Sequence, residues 1–426
     1  MISTQILTPD ERLLLLSLYL DYGQLPFFSC SIEKLVNEHP ASRKSITAFF
    51  KKIQFMNFLK VEKNYGTRGP NRYFFTEHCD KWIVTDRILG SVTEANHLNY
   101  SKIIRKAYEP IVRRNEDVKL SNSNRFLLLI LILKSDSLGR VSSLSISELS
   151  KLMGVSTGSI KLRIKALKAI GLLSVYIPGC SHKAIFGKSK GVLILDVMNA
   201  FISDLFPKAT RLTANMPNFY DSEFFGISEV SALLAGMKTI HLTFNEYDFD
   251  LNSIKKLFDK DNRRAKVNVH DHLQFVICHF TSIYLIEYWD QIGTSNEVQP
   301  IDESLTLDFL TPKNVIVNDV YVDLLKLISL WIHRTAIAHK FLLLFQYGVS
   351  FRPKSMLIIP TKKLNTHFSK FEVVFEAHGK YQSDVLSVGV DGEICSTIGN
   401  AKEIKFDEFD EFDEFVGGLY SYLVTI

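Results

Sequence analysis

SISELSKLMGVSTGSIKLRIKALKAIGLLSVYIPGCSHKAIFGKSKGVLILDV, residues 145–197, sets two helical patterns ahead of two strand-like runs. Ser145 is placed to cap a helix carrying Ile146, Leu149 and Leu152 on one face. Gly154-Val155-Ser156 makes the turn: glycine tolerates a φ that other residues resist, and Ser156 caps the next helix. In that second helix Ile160, Ile164, Leu167 and Ile170 recur at helical steps and form one buried stripe. Gly171 ends it. Leu172 to Ile177 and Gly191 to Val197 then read as strands, joined by a Gly/Lys-rich loop with His182, Lys183, Lys188 and Lys190.

The outward face of the second helix is cationic. Thr157, Lys161, Lys165 and Lys168 run along one flank and Arg163 lies on the other, with no carboxylate among them. Donors without acceptors suit phosphate oxygens and base edges.

Residues 8–80 repeat the theme. Thr8-Pro9-Asp10-Glu11 opens a helix with a cap, a first-turn proline and acids where the helix dipole favours them, and Leu13 to Leu20 is its apolar body. Ser31 caps a short helix with Ile32, Leu35 and Val36, and His39-Pro40-Ala41 turns. Ser42 starts a longer helix with Ile46, Phe50, Ile53 and Met56 inward. Val61 to Tyr65 and Tyr73 to Thr76 read as strands around a loop from Gly66 to Arg72. A constant shift of 114 lays this segment on the other: Leu13 on Leu127, Ser31 on Ser145, Ser42 on Ser156, Ile46 on Ile160, Val61 on Val175. Matching capping serines at the offset of the apolar stripe indicates an internal repeat. Arg43, Lys44, Thr47 and Lys51 form its exposed polar face beside Ser42, and Arg68 and Arg72 decorate its loop.

Residues 8–80 and 122–197 thus resemble winged helix-turn-helix domains of the MarR/ArsR-type regulators, and their tandem order is similar to that of plasmid replication initiators. Similar pairs occur in accessory subunits of chromosome-condensing complexes, where they bind proteins. The resemblance implies DNA binding, with the second helix of each turn in the major groove and the wing on phosphates. The expected contacts are Ser42, Arg43, Lys44, Thr47, Lys51, Arg68 and Arg72 in the first module. In the second they are Ser156, Thr157, Lys161, Arg163, Lys165, Lys183, Lys188 and Lys190.

The charge distribution agrees. Residues 1–200 hold 29 Lys/Arg against 16 Asp/Glu, whereas residues 201–426 hold 21 against 30. A nucleic-acid-facing front half and a back half with another task follow from that asymmetry. Five scattered cysteines without a CxxC pair fit reduced thiols and argue against zinc. No secretory leader pattern opens the chain, and Phe126 to Leu133 is too short to span a bilayer, so a cytoplasmic, nucleoid-associated protein is expected.

The expected fold class is mainly α with an α+β C-terminal domain. It comprises a winged helix in 1–82, a basic helical connector in 83–120, a second winged helix in 121–200, and a regulatory or oligomerisation domain in 201–426. Within the last, 197–206 and 227–237 read as helices and 239–244 as a strand, while 269–292 and 319–346 read as long apolar helices. Ser355 to Ile359, Phe371 to Glu376 and Val385 to Val390 read as strands, and the Phe-Asp-Glu repeat of 406–415 as an amphipathic helix.

Arg334 and His339 match the R-x4-H spacing of HEPN ribonucleases, a loose pattern that chance readily supplies among 12 histidines. His270 and His272 stand two apart and so fall on different faces of a helix, which argues against a shared metal. Phosphate-binding glycine loops, H-E-x-x-H and G-x-S-x-G are absent. The expectation is therefore a sequence-specific double-stranded DNA-binding protein, not an enzyme, without cofactor or metal. Transcriptional regulation leads, with a replication initiator or a protein-interaction scaffold as rivals and a HEPN-like ribonuclease as a minor alternative. A homodimer and a protein partner for the acidic half are further expectations.

Overall fold

The computed structural model describes residues 7–23, 25–38, 41–63, 71–85, 103, 111–113, 116–118, 120–182, 187–217, 253–254, 256–257, 263–292, 319–347, 351–363, 368–377, 384–388 and 394–397. The readings at 227–237, 239–244 and 406–415 fall outside them. The chain divides into two compact units, one of 1–176 with 191–207 and the other of 177–190 with 208–426. Both contain helices with small antiparallel pairings, a mixed α/β protein.

The first unit holds one module twice. Its first copy runs α1 (Pro9–Tyr22), an isolated bridge from Phe28 to Tyr73, α2 (Ile32–Glu38), α3 (Arg43–Phe55), then the antiparallel strands β1 (Leu59–Glu62) and β2 (Arg72–Phe75), with α4 (Glu77–Thr85) after it. After a short hairpin of β3 (Ile111–Arg113) and β4 (Glu116–Val118), the second copy begins. It runs α5 (Asn122–Lys134), β5 (Arg140–Val141), α6 (Ile146–Met153), α7 (Thr157–Ala169), β6 (Leu173–Ile177) and β9 (Val192–Leu195). Its three strands are ordered β5-β9-β6.

The copies agree bond for bond at the offset of 114. Ser42 accepts from the Ser45 amide as Ser156 does from Ser159. Where α3 ends, the Phe58 amide reaches the Ile53 carbonyl at 2.8 Å; where α7 ends, Leu172 reaches Leu167 at 3.0 Å. The residue that makes this turn must adopt positive φ: Gly171 does so at 77° and its counterpart Asn57 at 57°. Asparagine is among the few non-glycine residues that tolerate it.

Four sequence expectations change here. The first helices superpose at 113, since Thr8 and Ser121 are the caps, so Leu13 falls on Phe126 and not on Leu127. The helix of 146–153 buries Leu149 and Met153, leaving Leu152 half-exposed. The connector, expected to be helical, pairs Ile111–Arg113 with Glu116–Val118 as antiparallel strands. Residues 197–206 form turns with only a 3₁₀ turn at Ser203–Leu205. There the Asp196 and Asn199 side chains accept the Met198 and Phe201 amides, which competes with helix.

The second unit contains β7 (Ser181–His182), β8 (Gly187–Lys188), β10 (Ala209–Pro217), α8 (Arg263–Glu287), α9 (Asp319–Tyr347) and β11 (Pro353–Lys363) to β14. The last strands are β12 (Phe368–Ala377), β13 (Asp384–Val388) and β14 (Ile394–Thr397). Its five-stranded sheet is ordered β11-β12-β10-β13-β14, antiparallel except between β10 and β13. The two helices pack on each other and α8 packs on β11, where Ser282 Oγ accepts the Ile358 amide at 3.0 Å. Among the described residues no helix is long and apolar enough to cross a membrane.

Candidate nucleic-acid interface

The third helix of each module is set by its inward side. In α3, Ile46, Phe49, Phe50 and Ile53 are buried; in α7, Ile160, Ile164 and Leu167 are. Each helix is also tied to the first helix of its module. Lys52 donates to Glu11 at 2.7 Å, and Arg163 donates to Oδ1 of Asn124 at 3.2 Å. Glu11 and Asn124 are equivalent positions at the offset of 113. Arg163, expected on an outward flank, is half-buried and serves this tether.

The remaining polar residues face out. Thr157, Lys161, Lys165 and Lys168 are exposed along α7, and none has an acidic partner among the described residues. In α3, Arg43, Lys44 and Lys51 are exposed and Thr47 is half-exposed. Arg43 meets Glu33 at 3.1 Å, with both side chains largely in solvent, a pairing too hydrated to hold the guanidinium strongly. The Thr47 hydroxyl donates to the Arg43 carbonyl at 2.8 Å, so only its lone pairs remain for a ligand. Ser42 and Ser156 are spent on capping, fixing where the helix N-termini sit.

The two hairpins differ. In the first, the Arg72 guanidinium lies over the Phe27 ring at 4.8 Å with both groups exposed; Arg68 lies outside the described residues. In the second, the described residues before the tip, Cys180 to His182, belong to the other unit. Cys180 joins the core of Leu212, Ile254 and Leu273, and the buried His182 imidazole donates from Nε2 to the Leu257 carbonyl at 3.1 Å. Lys183 lies outside the described residues, Lys188 lies in β8, and Lys190 is exposed.

Sequence reasoning missed the apolar part of this surface. Leu162 is 68% exposed beside Lys161, and Phe55 at the end of α3 is 74% exposed. Leu162 carries a signal, because it falls out of phase with the Ile160, Ile164 and Leu167 stripe. A leucine on such a face offers contact to a thymine methyl.

The histidine of the R-x4-H pattern sits differently. His339 is 1% exposed and donates from Nδ1 to the Thr335 carbonyl at 2.6 Å, and burial pushes its pKa down to about 3. An imidazole so placed is neutral and withdrawn from solvent. The Arg334 side chain lies outside the described residues. His272, 2% exposed, is likewise held neutral, with its pKa near 4 through burial. Among the described residues no group of three or more His, Cys, Asp or Glu is arranged to hold a metal ion.

Comparison with protein-family models, with curated proteins and with solved structures finds no match to this chain.

Proposed function

We propose that both modules are winged helix-turn-helix domains and that the chain binds double-stranded DNA at a specific, extended site, acting as a transcriptional regulator. One observation carries this reading: α7 is capped and tethered from behind, and presents Thr157, Lys161, Lys165 and Lys168 to solvent with no carboxylate partner among the described residues. The same construction in α3 supplies a second reading helix. Phosphate contacts from the lysines would supply affinity, while Thr157, Leu162 and part of the lysine row would meet base edges. Such a protein works in the cytoplasm on the nucleoid.

A second reading, an interaction scaffold, draws on the second hairpin, in which Cys180 and His182 are buried among residues of the other unit. Sequencing of genomic fragments retained by the chain at moderate and at high salt separates the two. A few sharp, salt-sensitive sites are expected, beside its own gene for a regulator or at an origin for an initiator. Diffuse or absent enrichment overturns the DNA reading in favour of the scaffold.

A further inference from the structure

The two modules are packed through the same surface. α1 lies against α5, its own counterpart in the repeat, within one compact unit. Both helices are buried around nearly their whole circumference. Leu13, Leu14, Leu15, Leu16 and Leu18 are covered in one, and every residue from Arg125 to Lys134 in the other. A helix covered all round needs a partner on the side its own module leaves open. At the N-terminal end of the contact Ser123 donates to Oδ1 of Asp10 at 2.9 Å, and these are equivalent positions at the offset of 113. The adjoining arginines are used alike: Arg12 donates from Nε to the Leu7 carbonyl at 3.0 Å, Arg125 to Leu120 at 3.1 Å. Arg12 then crosses to the other module, where it meets the Leu152 carbonyl at 2.6 Å.

Contact between a residue and its own counterpart is the mark of an isologous interface, the arrangement of a two-fold dimer. In a head-to-tail pairing each module would offer a different patch, and Asp10 would meet some other residue. We infer that the two modules form a dimer within one chain, related by a pseudo-two-fold axis near Asp10 and Ser123, and that a single chain reads two DNA half-sites in inverted orientation. The inference rests on the proposed DNA reading and adds the symmetry of the target. Operator symmetry mirrors protein symmetry. Here the half-sites differ in sequence, because the outward faces differ: Arg43, Lys44, Thr47, Ala48, Gln54 and Phe55 stand where the second module has Thr157, Gly158, Lys161, Leu162, Lys168 and Ala169. The inverted order is therefore hidden in any natural site.

Making the faces alike exposes it. Six substitutions in the full chain (Arg43→Thr, Lys44→Gly, Thr47→Lys, Ala48→Leu, Gln54→Lys and Phe55→Ala) give α3 the outward face of α7, at positions that are exposed or half-exposed. The reciprocal set (Thr157→Arg, Gly158→Lys, Lys161→Thr, Leu162→Ala, Lys168→Gln and Ala169→Phe) does the opposite and covers the case in which the first does not fold. Each protein is used to select duplexes from a random pool. The native chain is expected to enrich two unlike halves, and each variant a palindrome, with a different half-sequence for each. Two identical halves in the same direction, or a single half, would overturn the pseudo-two-fold reading while leaving DNA binding intact. No enrichment by the native chain would instead refute the DNA reading, and this inference with it.

Discussion

Replacing Lys161 and Lys165 together with glutamine should flatten the salt dependence of DNA binding by a calculable amount. Five lysines on the two outward faces, Lys44, Lys51, Lys161, Lys165 and Lys168, are exposed without an acidic partner among the described residues. If each neutralises one phosphate, the slope of log K against log salt is about −4.5, at roughly −0.9 per contact. Affinity then falls about 500-fold between 50 and 200 mM salt. Removing two contacts brings the slope to about −2.7 and the fall to about 40-fold. Both side chains are exposed and glutamine keeps the helix propensity, so the melting transition should stay within about 0.5 kcal/mol of the native one. Fluorescence anisotropy of a labelled duplex carrying a selected site, titrated at four salt concentrations, measures the slope. Lys52→Gln is the control: Lys52 is tied to Glu11 behind the helix, so its loss should leave the slope unchanged. An unchanged slope in the double variant, with the fold intact, would refute the assignment of this face to phosphates.

Three further outcomes concern the fold. His272 and His339 have pKa values lowered to about 4 and about 3, below the ordinary 6.5, so the unfolded chain takes up their protons first. Stability contributed by the neutral rings is present above pH 6.5 and is lost on acidification at about 1.4 kcal/mol per pH unit for each histidine. His272→Phe should therefore reduce the pH slope of denaturant unfolding between pH 6.5 and 4; an equal slope would refute the cause. Arg12→Met strips its hydrogen bonds from the Leu7 and Leu152 carbonyls and should cost about 2–3 kcal/mol in a denaturant melt. A loss below about 0.5 kcal/mol would show that the arginine does not hold the modules together. Gly139 adopts φ of 82°, and a Cβ there would stand 2.5 Å from Cγ1 of Val197. Gly139→Ala should then cost about 2–4 kcal/mol, strain and overpacking together, and an unchanged melting temperature would contradict it.

The helix ends were the most legible part of the sequence. Ser42, Ser145 and Ser156 cap helices because their hydroxyls accept amides that no helical carbonyl can satisfy, and that chemistry is local. The register of the first helices was not legible from apolar matches. α1 and α5 are apolar on nearly every side, so Leu13 fits Leu127 as well as Phe126, and only the caps Thr8 and Ser121 choose the offset. The strand β10 was passed over because ATRLTANMP has few strongly apolar residues, and pairing with β12 and β13 from the far end of the chain makes it a strand. Of the outward face, the lysines were legible from spacing. The tether from Arg163 was not legible, because its partner Asn124 lies 39 residues away on another helix.

The second hairpin has a consequence for how this protein can be divided. Its strands β6 and β9 belong to the second module's sheet, yet the chain from the end of β6 at Ile177 to Lys190 falls in the other unit. The chain therefore passes between the units three times, at 176/177, 190/191 and 207/208. Cutting at 207/208 would give a front fragment in which Cys180 and His182 lose Ile254 and Leu257, and a back fragment whose core is missing a piece. Recombination could not shuffle them singly, and a gene that lost its distal part would encode two modules whose last hairpin leaves Cys180 and His182 without the residues that bury them.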